Sequence, residues 1–101
     1  KEEPFGPLVP VLTFKDFDEV VERANNNDLG LCSYLYTNSM DKANRASEMM
    51  ETGCVAVNTA AVAVAEAPFG GIKQTGYGRE GGSMAIKDYL NIKYTHMGLK
   101  A

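Results

Sequence analysis

Strand-like and helix-like stretches alternate along the first sixty residues, and this order constrains the fold more than any other feature of the chain. Residues 8–14, 31–37 and 54–59 are short apolar runs of the kind that form buried strands. Between them lie two stretches whose apolar residues recur at helical spacing. A β-α-β-α-β order favours parallel strands joined by right-handed helical crossovers. We therefore predict an α/β fold with a parallel sheet.

The predicted helices carry recognisable end signals. Asp16 with Glu19 three residues later matches a capping box, and Ser39 is placed to cap the second helix. Gly53 follows the second helix at a position where a left-handed residue commonly ends a helix. These signals predict two helices, both ending before the next strand.

The last forty residues follow a different pattern. Residues 60–82 form a long connection with six glycines between Gly70 and Gly82, and long connections of this kind are often functional. A short helix is predicted next. Residues 91–98 then alternate between apolar and polar side chains, which predicts a terminal strand. Such a strand must pair within the chain or with another one.

The stretch GYGREG at residues 76–81 fits the G-x-G-x-x-G pattern of a dinucleotide-binding turn. That turn should leave a strand directly, open into a helix, and be followed about 20 residues later by an acidic residue. Here PFGGIKQT precedes the motif, and the chain ends where the acid is required. The glycines are better interpreted as a tight loop in which they supply positive φ and close backbone approach.

Composition excludes several classes of function. The net charge is −3 and the pI is about 5.0, which argues against nucleic-acid binding. No apolar run approaches the ~20 residues that span a bilayer, and no signal peptide is visible, so we expect a cytoplasmic protein. Cys32, Cys54 and the single His96 lack metal-ligand spacing, and the cysteines are predicted to be small buried side chains. The opening KEEPFGP suggests a piece of a longer protein.

Two separated motifs resemble the NAD(P)-dependent aldehyde dehydrogenases. EEPFGP at residues 2–7 is similar to the family motif E-x-F-G-P, and PFGGIKQTGYGREGG at residues 68–82 is similar to P-F-G-G-x-K-x-S-G-x-G-R-E near the family's C-terminus. VNT at residues 57–59 fits the strand before that segment. The wording of the second motif and the ending DYLNIKY most resemble the succinate-semialdehyde dehydrogenase group.

The resemblance implies a role for four positions. Glu3 matches the glutamate that hydrogen-bonds the nicotinamide ribose of NAD or NADP, and Phe5 matches an aromatic near the nicotinamide. Phe69 matches an aromatic that lines the aldehyde tunnel. Ala63 stands where succinate-semialdehyde enzymes commonly have a serine that holds the substrate carboxylate, so a larger or less polar aldehyde is also conceivable. Simple solvation is the alternative for Glu3, and core packing is the alternative for Phe5 and Phe69.

The resemblance also implies what the chain does not contain. The family's nucleophilic cysteine, general-base glutamate, oxyanion asparagine and Rossmann domain all precede E-x-F-G-P, so no catalytic residue is expected here and the chain alone is expected to be inactive. In the family a thiolate attacks the aldehyde, hydride passes to NAD(P), and the thioester is hydrolysed.

By the same resemblance, residues 1–82 are the end of the catalytic domain, and residues 83–101 are a last helix and a strand that joins a homo-oligomer. The expected partners are a small aldehyde and other copies of the subunit, with no nucleic acid and no membrane. The alternative hypothesis is a small non-enzymatic α/β binding or self-association module.

Overall fold

The computed structural model describes residues 2–100 and contains two helices, four short strands and one 3-10 helix. In chain order the elements are α1 (Phe17–Asn25), β1 (Leu29–Gly30), β2 (Cys32–Leu35), α2 (Met40–Met49), β3 (Cys54–Val57), β4 (Ile72–Lys73) and the 3-10 helix (Ala85–Tyr89).

Both helices begin at the predicted caps. An Asp16 carboxylate oxygen accepts a hydrogen bond from the Glu19 backbone N–H at 2.9 Å, and the Ser39 hydroxyl oxygen accepts from the Lys42 N–H at 3.3 Å. The Glu19 carboxylate reaches back to the N–H of Lys15 at 2.8 Å rather than to that of Asp16. The first turn of α1 is therefore held by two side chains, as in a capping box shifted by one residue.

The centre of the fold is the parallel pair β2 and β3, with α2 as the crossover between them. The register runs from Cys32 opposite Cys54 to Leu35 opposite Val57, which confirms the predicted parallel pairing of these two strands. The buried apolar side chains are few and small, and among residues 2–100 they are Val21, Ala46 and Ala56. The two helices and the strand pair thus enclose a very small core.

A second, antiparallel pair joins β1 to β4 and brings the later part of the chain back to the sheet. The Thr75 hydroxyl accepts a hydrogen bond from the Gly30 N–H at 2.8 Å. Lys73 adopts a left-handed backbone (φ 56°) and donates through Nζ to the carbonyls of Asn25 and Asn27, at 2.9 and 3.1 Å. These bonds anchor the connection after β3 against the C-terminal end of α1.

The predicted first and last strands do not form within residues 2–100. Residues 8–14 and 91–98 have no regular secondary structure, and most of their apolar side chains are exposed, including Val9 at 85% and Tyr94 at 84%. An extended segment becomes a strand only when its N–H and C=O groups find a partner, and these two segments have no strand partner among residues 2–100. The predicted short helix forms, but as an exposed 3-10 turn.

The overall dimensions of the molecule reflect two exposed segments without regular structure, which are called the N-terminal arm (residues 2–14) and the C-terminal arm (residues 91–98). The radius of gyration is 19.1 Å, whereas a compact chain of about 100 residues has a value of about 13 Å. The accessible surface is 8676 Å², against roughly 5,600 Å² for a compact monomer of this mass. The α/β fold is confirmed, and a large part of its apolar surface lies outside the core.

Candidate functional site

The four sequence-predicted site residues lie in two separate regions. Glu3 and Phe5 belong to the N-terminal arm, which we define as residues 2–14. Ala63 and Phe69 belong to the glycine-rich loop, defined as residues 60–82. Within residues 2–100 no hydrogen bond joins the arm to the loop. The predicted cofactor-binding residues and the predicted substrate-binding residues therefore lie in two regions that no hydrogen bond joins within residues 2–100.

In the arm, a tight turn presents the carboxylate and the aromatic ring to solvent. The Phe5 N–H donates to the Glu3 carbonyl at 2.9 Å, and Phe5 is 96% exposed. Glu3 is exposed, and its carboxylate has no hydrogen-bond partner among the described residues. A carboxylate with both oxygens available can accept hydrogen bonds from two adjacent hydroxyl groups. The Glu3 carboxylate is thus open to solvent at the tip of the turn.

In the loop, Phe69 is held by its backbone. Phe69 and Glu80 exchange two backbone hydrogen bonds of 2.7 Å each, which form an isolated antiparallel bridge. The Phe69 side chain is half-buried, whereas Ala63 is exposed and lies in a segment without regular structure. A cavity of about 330 Å³ is lined by Phe69, Tyr77 and Tyr89 but not by Ala63. The two predicted tunnel residues thus do not share this cavity.

Arg79 braces the turn that follows. Its guanidinium donates through Nη1 to the carbonyls of Gly71 and Gly78, at 2.9 and 2.7 Å. Its backbone N–H donates to the carboxylate of Asp88 at 2.8 Å. The Arg79 guanidinium therefore holds two parts of the loop together, and the Arg79 backbone N–H joins the loop to the 3-10 helix.

Positive φ angles occur at four of the six glycines of this loop, including all three of the GYGREG motif, as the sequence predicts. Gly76 and Gly78 have φ values of 104° and 102°, and Gly81 and Gly82 have values of 71° and 61°. A dinucleotide turn requires a strand directly before it and an α-helix directly after it. Here the two-residue strand β4 precedes the motif, and a 3-10 helix rather than an α-helix follows it.

Gly53 allows close backbone packing rather than ending the second helix as the sequence predicted. It does not adopt a left-handed conformation, and α2 ends at Met49, followed by a C-cap residue, Met50, with extended geometry. A Cβ atom on Gly53 would lie 1.8 Å from the carbonyl oxygen of Gly70. Glycine is required because the start of β3 and the backbone beside Phe69 are in direct contact.

Asn58 is a structural residue that the sequence analysis missed. It follows β3 with a φ of 56°, a conformation that asparagine tolerates better than most residues. Its side-chain oxygen accepts from the Thr37 N–H, and its side-chain nitrogen donates to the Thr37 carbonyl, both at 2.9 Å. This pair of bonds joins the C-terminal ends of β2 and β3 and directs the chain into the loop. The asparagine of the sequence VNT, at residues 57–59, is the feature from which a left-handed turn after β3 could have been predicted.

The two cysteines are half-buried rather than fully buried, which corrects the sequence prediction. Cys32 and Cys54 face each other as register partners of β2 and β3. Burial raises the pKa of the Cys32 thiol, and the neighbouring Cys54 raises it further. The Cys54 thiol lies 3.7 Å from the Gly70 carbonyl oxygen, within reach of a weak S–H hydrogen bond.

The family of the chain follows from comparison with known proteins. The model of the "Aldehyde dehydrogenase family" matches residues 1–95, so the chain belongs to this family. The chain is 54% identical over 97 residues to a 3-sulfolactaldehyde dehydrogenase of Pseudomonas putida, with 96% of the chain and 20% of that relative covered. It is 46% identical over 99 residues to the NADP(+) succinate-semialdehyde dehydrogenase GabD of Escherichia coli K12, with 98% and 20% covered.

The fold is likewise similar to solved members of the family. The crystal structure of succinate-semialdehyde dehydrogenase from Burkholderia pseudomallei superimposes with a TM-score of 0.88 at 45% identity, over 94% of this chain and 20% of that one. The chain thus spans about a fifth of the length of the relatives it matches. Across residues 2–100 no helix is both long and apolar enough to cross a membrane.

Proposed function

We propose that the chain is the C-terminal portion of an NAD(P)-dependent aldehyde dehydrogenase subunit that oxidises a small aldehyde to a carboxylic acid. The observation that carries this proposal is the family match over residues 1–95. The large exposed apolar surface of the two arms supports it, because such surface is normally covered by other parts of a protein. Residues 1–82 would complete the catalytic domain, and residues 83–101 would supply the last helix and the strand for subunit association.

For the cofactor, we assign Glu3 to the nicotinamide ribose and Phe5 to the side of the nicotinamide ring. Support comes from the Glu3 carboxylate, which is exposed and has no hydrogen-bond partner among residues 2–100, and from the tight turn in which the Phe5 N–H donates to the Glu3 carbonyl. The nicotinamide supplies hydride-acceptor chemistry when it is bound. The chain's own contribution is to hold the ribose through two charge-assisted hydrogen bonds and so to orient the ring.

For the substrate, we propose succinate semialdehyde or a related semialdehyde, with Ala63 and Phe69 on the tunnel wall. The names of the two relatives described above support a small aldehyde with an anionic group at its far end. Ala63 has no hydroxyl, so the anion must be held by other residues of the subunit. The half-buried Phe69, fixed by its bridge to Glu80, offers an apolar surface to the aldehyde chain.

The experiment compares the subunit that contains this chain with the 101-residue chain alone. Each is supplied with NAD or NADP and a panel of aldehydes with carboxylate or sulfonate ends, and formation of reduced cofactor is followed by absorbance. We expect turnover by the subunit and none by the chain, because no family nucleophile lies within it. Aldehyde-dependent reduction of cofactor by the 101-residue chain would refute the assignment.

A non-enzymatic self-association module is the second candidate, and the exposed arms are the observation in its favour. The coding sequence upstream of Lys1 separates the two candidates. A cysteine in a G-Q-x-C setting and a Glu-Leu-Gly-Gly stretch would support the enzyme, whereas an initiator codon directly before Lys1 would support the module.

A further inference from the structure

The two cysteines of the chain occupy a position that the proposed function does not use. Cys32 is the first residue of β2 and Cys54 the first of β3, and they are direct partners in the parallel register. Partners on adjacent strands point to the same face of the sheet. The two thiols therefore lie side by side at the end of the ladder, next to the loops that precede each strand.

The spacing suits a covalent bond between them. Adjacent strands lie about 4.8 Å apart, and disulfides join residues whose Cα atoms are roughly 4.4–6.8 Å apart. Both side chains are half-buried, so a small oxidant can reach them. Backbone hydrogen bonds from the Gly53 N–H to the Gly30 carbonyl, at 3.1 Å, and from the Cys54 N–H to the Leu31 carbonyl, at 3.0 Å, hold the two cysteines side by side.

We propose that Cys32 and Cys54 form a cross-strand dithiol site that hydrogen peroxide oxidises to an intramolecular disulfide. The thiolate of one cysteine attacks a peroxide oxygen and breaks the O–O bond, which gives a sulfenic acid and, after protonation, one water. The second thiol then attacks the sulfenic sulfur, forms the S–S bond and releases the second water. The two thiols lose two electrons and two protons in all, and the peroxide is reduced to two waters.

Oxidation would change a contact between β3 and the glycine-rich loop. The S–H group of Cys54 lies 3.7 Å from the carbonyl of Gly70, the neighbour of Phe69. A disulfide sulfur has no hydrogen to donate, so the Gly70 carbonyl loses this contact. The disulfide also forms a covalent loop of residues 32–54, which contains α2. The site thus couples the redox state of the strand pair to the segment that carries Phe69.

Peptide mapping of the 101-residue chain tests the proposal without any substitution. The chain is treated with hydrogen peroxide at low protein concentration, blocked with N-ethylmaleimide and digested with trypsin. Cleavage after Arg23, Lys42, Arg45 and Lys73 puts Cys32 in peptide 24–42 and Cys54 in peptide 46–73. We expect these two peptides to be linked, with the loss of two hydrogen atoms, and to separate on treatment with dithiothreitol.

Two controls sharpen the result. In Cys32→Ser and in Cys54→Ser the linked peptide must vanish, and the remaining thiol should stop at a sulfenic acid or oxidise further. The rate of linkage in the unmodified chain should be unchanged by tenfold dilution, since the reaction is intramolecular. Independent oxidation of each cysteine to sulfinic acid, linkage only between chains, or no oxidation of either thiol would overturn the proposal.

Discussion

Replacing Gly53 with alanine tests the close contact on which the position of the glycine-rich loop depends. The Gly53 N–H donates to the Gly30 carbonyl at 3.1 Å and so sets the start of β3. The added Cβ would lie 1.8 Å from the Gly70 carbonyl oxygen, whereas ordinary contacts begin at 3.4 Å. The obstacle is backbone on both sides, so no side-chain rotation can relieve it. Either β3 or the segment beside Phe69 must move.

The expected cost follows from this overlap. Inserting a methyl group into well-packed surroundings typically costs about 1–3 kcal/mol, and an overlap with rigid backbone belongs at the upper end of that range. Small domains have only about 5–15 kcal/mol of stability in total, and this core has three buried apolar side chains among residues 2–100. We therefore expect Gly53→Ala to lower the free energy of unfolding by roughly 3 kcal/mol. With a urea dependence of about 1 kcal/mol per M, the midpoint would fall by about 3 M.

Urea unfolding followed by far-ultraviolet circular dichroism measures this change. Gly6→Ala is the matched control, because a Cβ on Gly6 meets nothing within 4 Å and its φ is not positive. We expect the control to stay within about 0.5 kcal/mol of the unmodified chain. If Gly53→Ala and Gly6→Ala have the same midpoint, the two backbones are not in contact and the account of the loop is wrong.

Two further predictions concern the parallel strand pair. Asn58→Ala should lower the free energy of unfolding by about 1–3 kcal/mol, measured by the same urea titration, because it removes both hydrogen bonds to Thr37 and leaves alanine in a left-handed conformation. An unchanged midpoint would show that these bonds contribute nothing. Because burial and the neighbouring Cys54 raise the pKa of Cys32, folding favours its neutral thiol, and stability falls as pH rises above the ordinary thiol pKa. Alkylation of Cys32 by iodoacetamide should accordingly be slower at pH 8 in the folded chain than in the urea-unfolded chain, and equal rates would contradict the shift.

Much of the local structure could be predicted from short-range signals. The caps at Asp16 and Ser39 were predictable because they depend on residues within one turn. The parallel pairing of β2 with β3 followed from the strand–helix–strand order. The positive φ angles of the loop glycines followed from the absence of a side chain.

What could not be predicted depends on partners distant in sequence. Residues 8–14 and 91–98 have the pattern of strands, yet pattern alone supplies no hydrogen-bond partner. Gly53 was assigned to a helix end because its neighbour in space, Gly70, is 17 positions away. The roles of Glu3 and Phe69 came from resemblance to a family, and the separation of arm and loop leaves them as proposals.

The most direct test of the central claim is the Michaelis constant for NAD(P) of a Glu3→Gln variant of the subunit that contains this chain. Glutamine keeps the size of the side chain but loses the negative charge and one acceptor oxygen. Hydrogen bonds to a charged group contribute about 1.5–3 kcal/mol, so the constant should rise about tenfold or more. Glu2→Gln is the matched control, because the neighbouring glutamate is also exposed and has no assigned role. A rise in Glu3→Gln alone is the predicted result, and equal constants in the two variants would contradict the cofactor assignment.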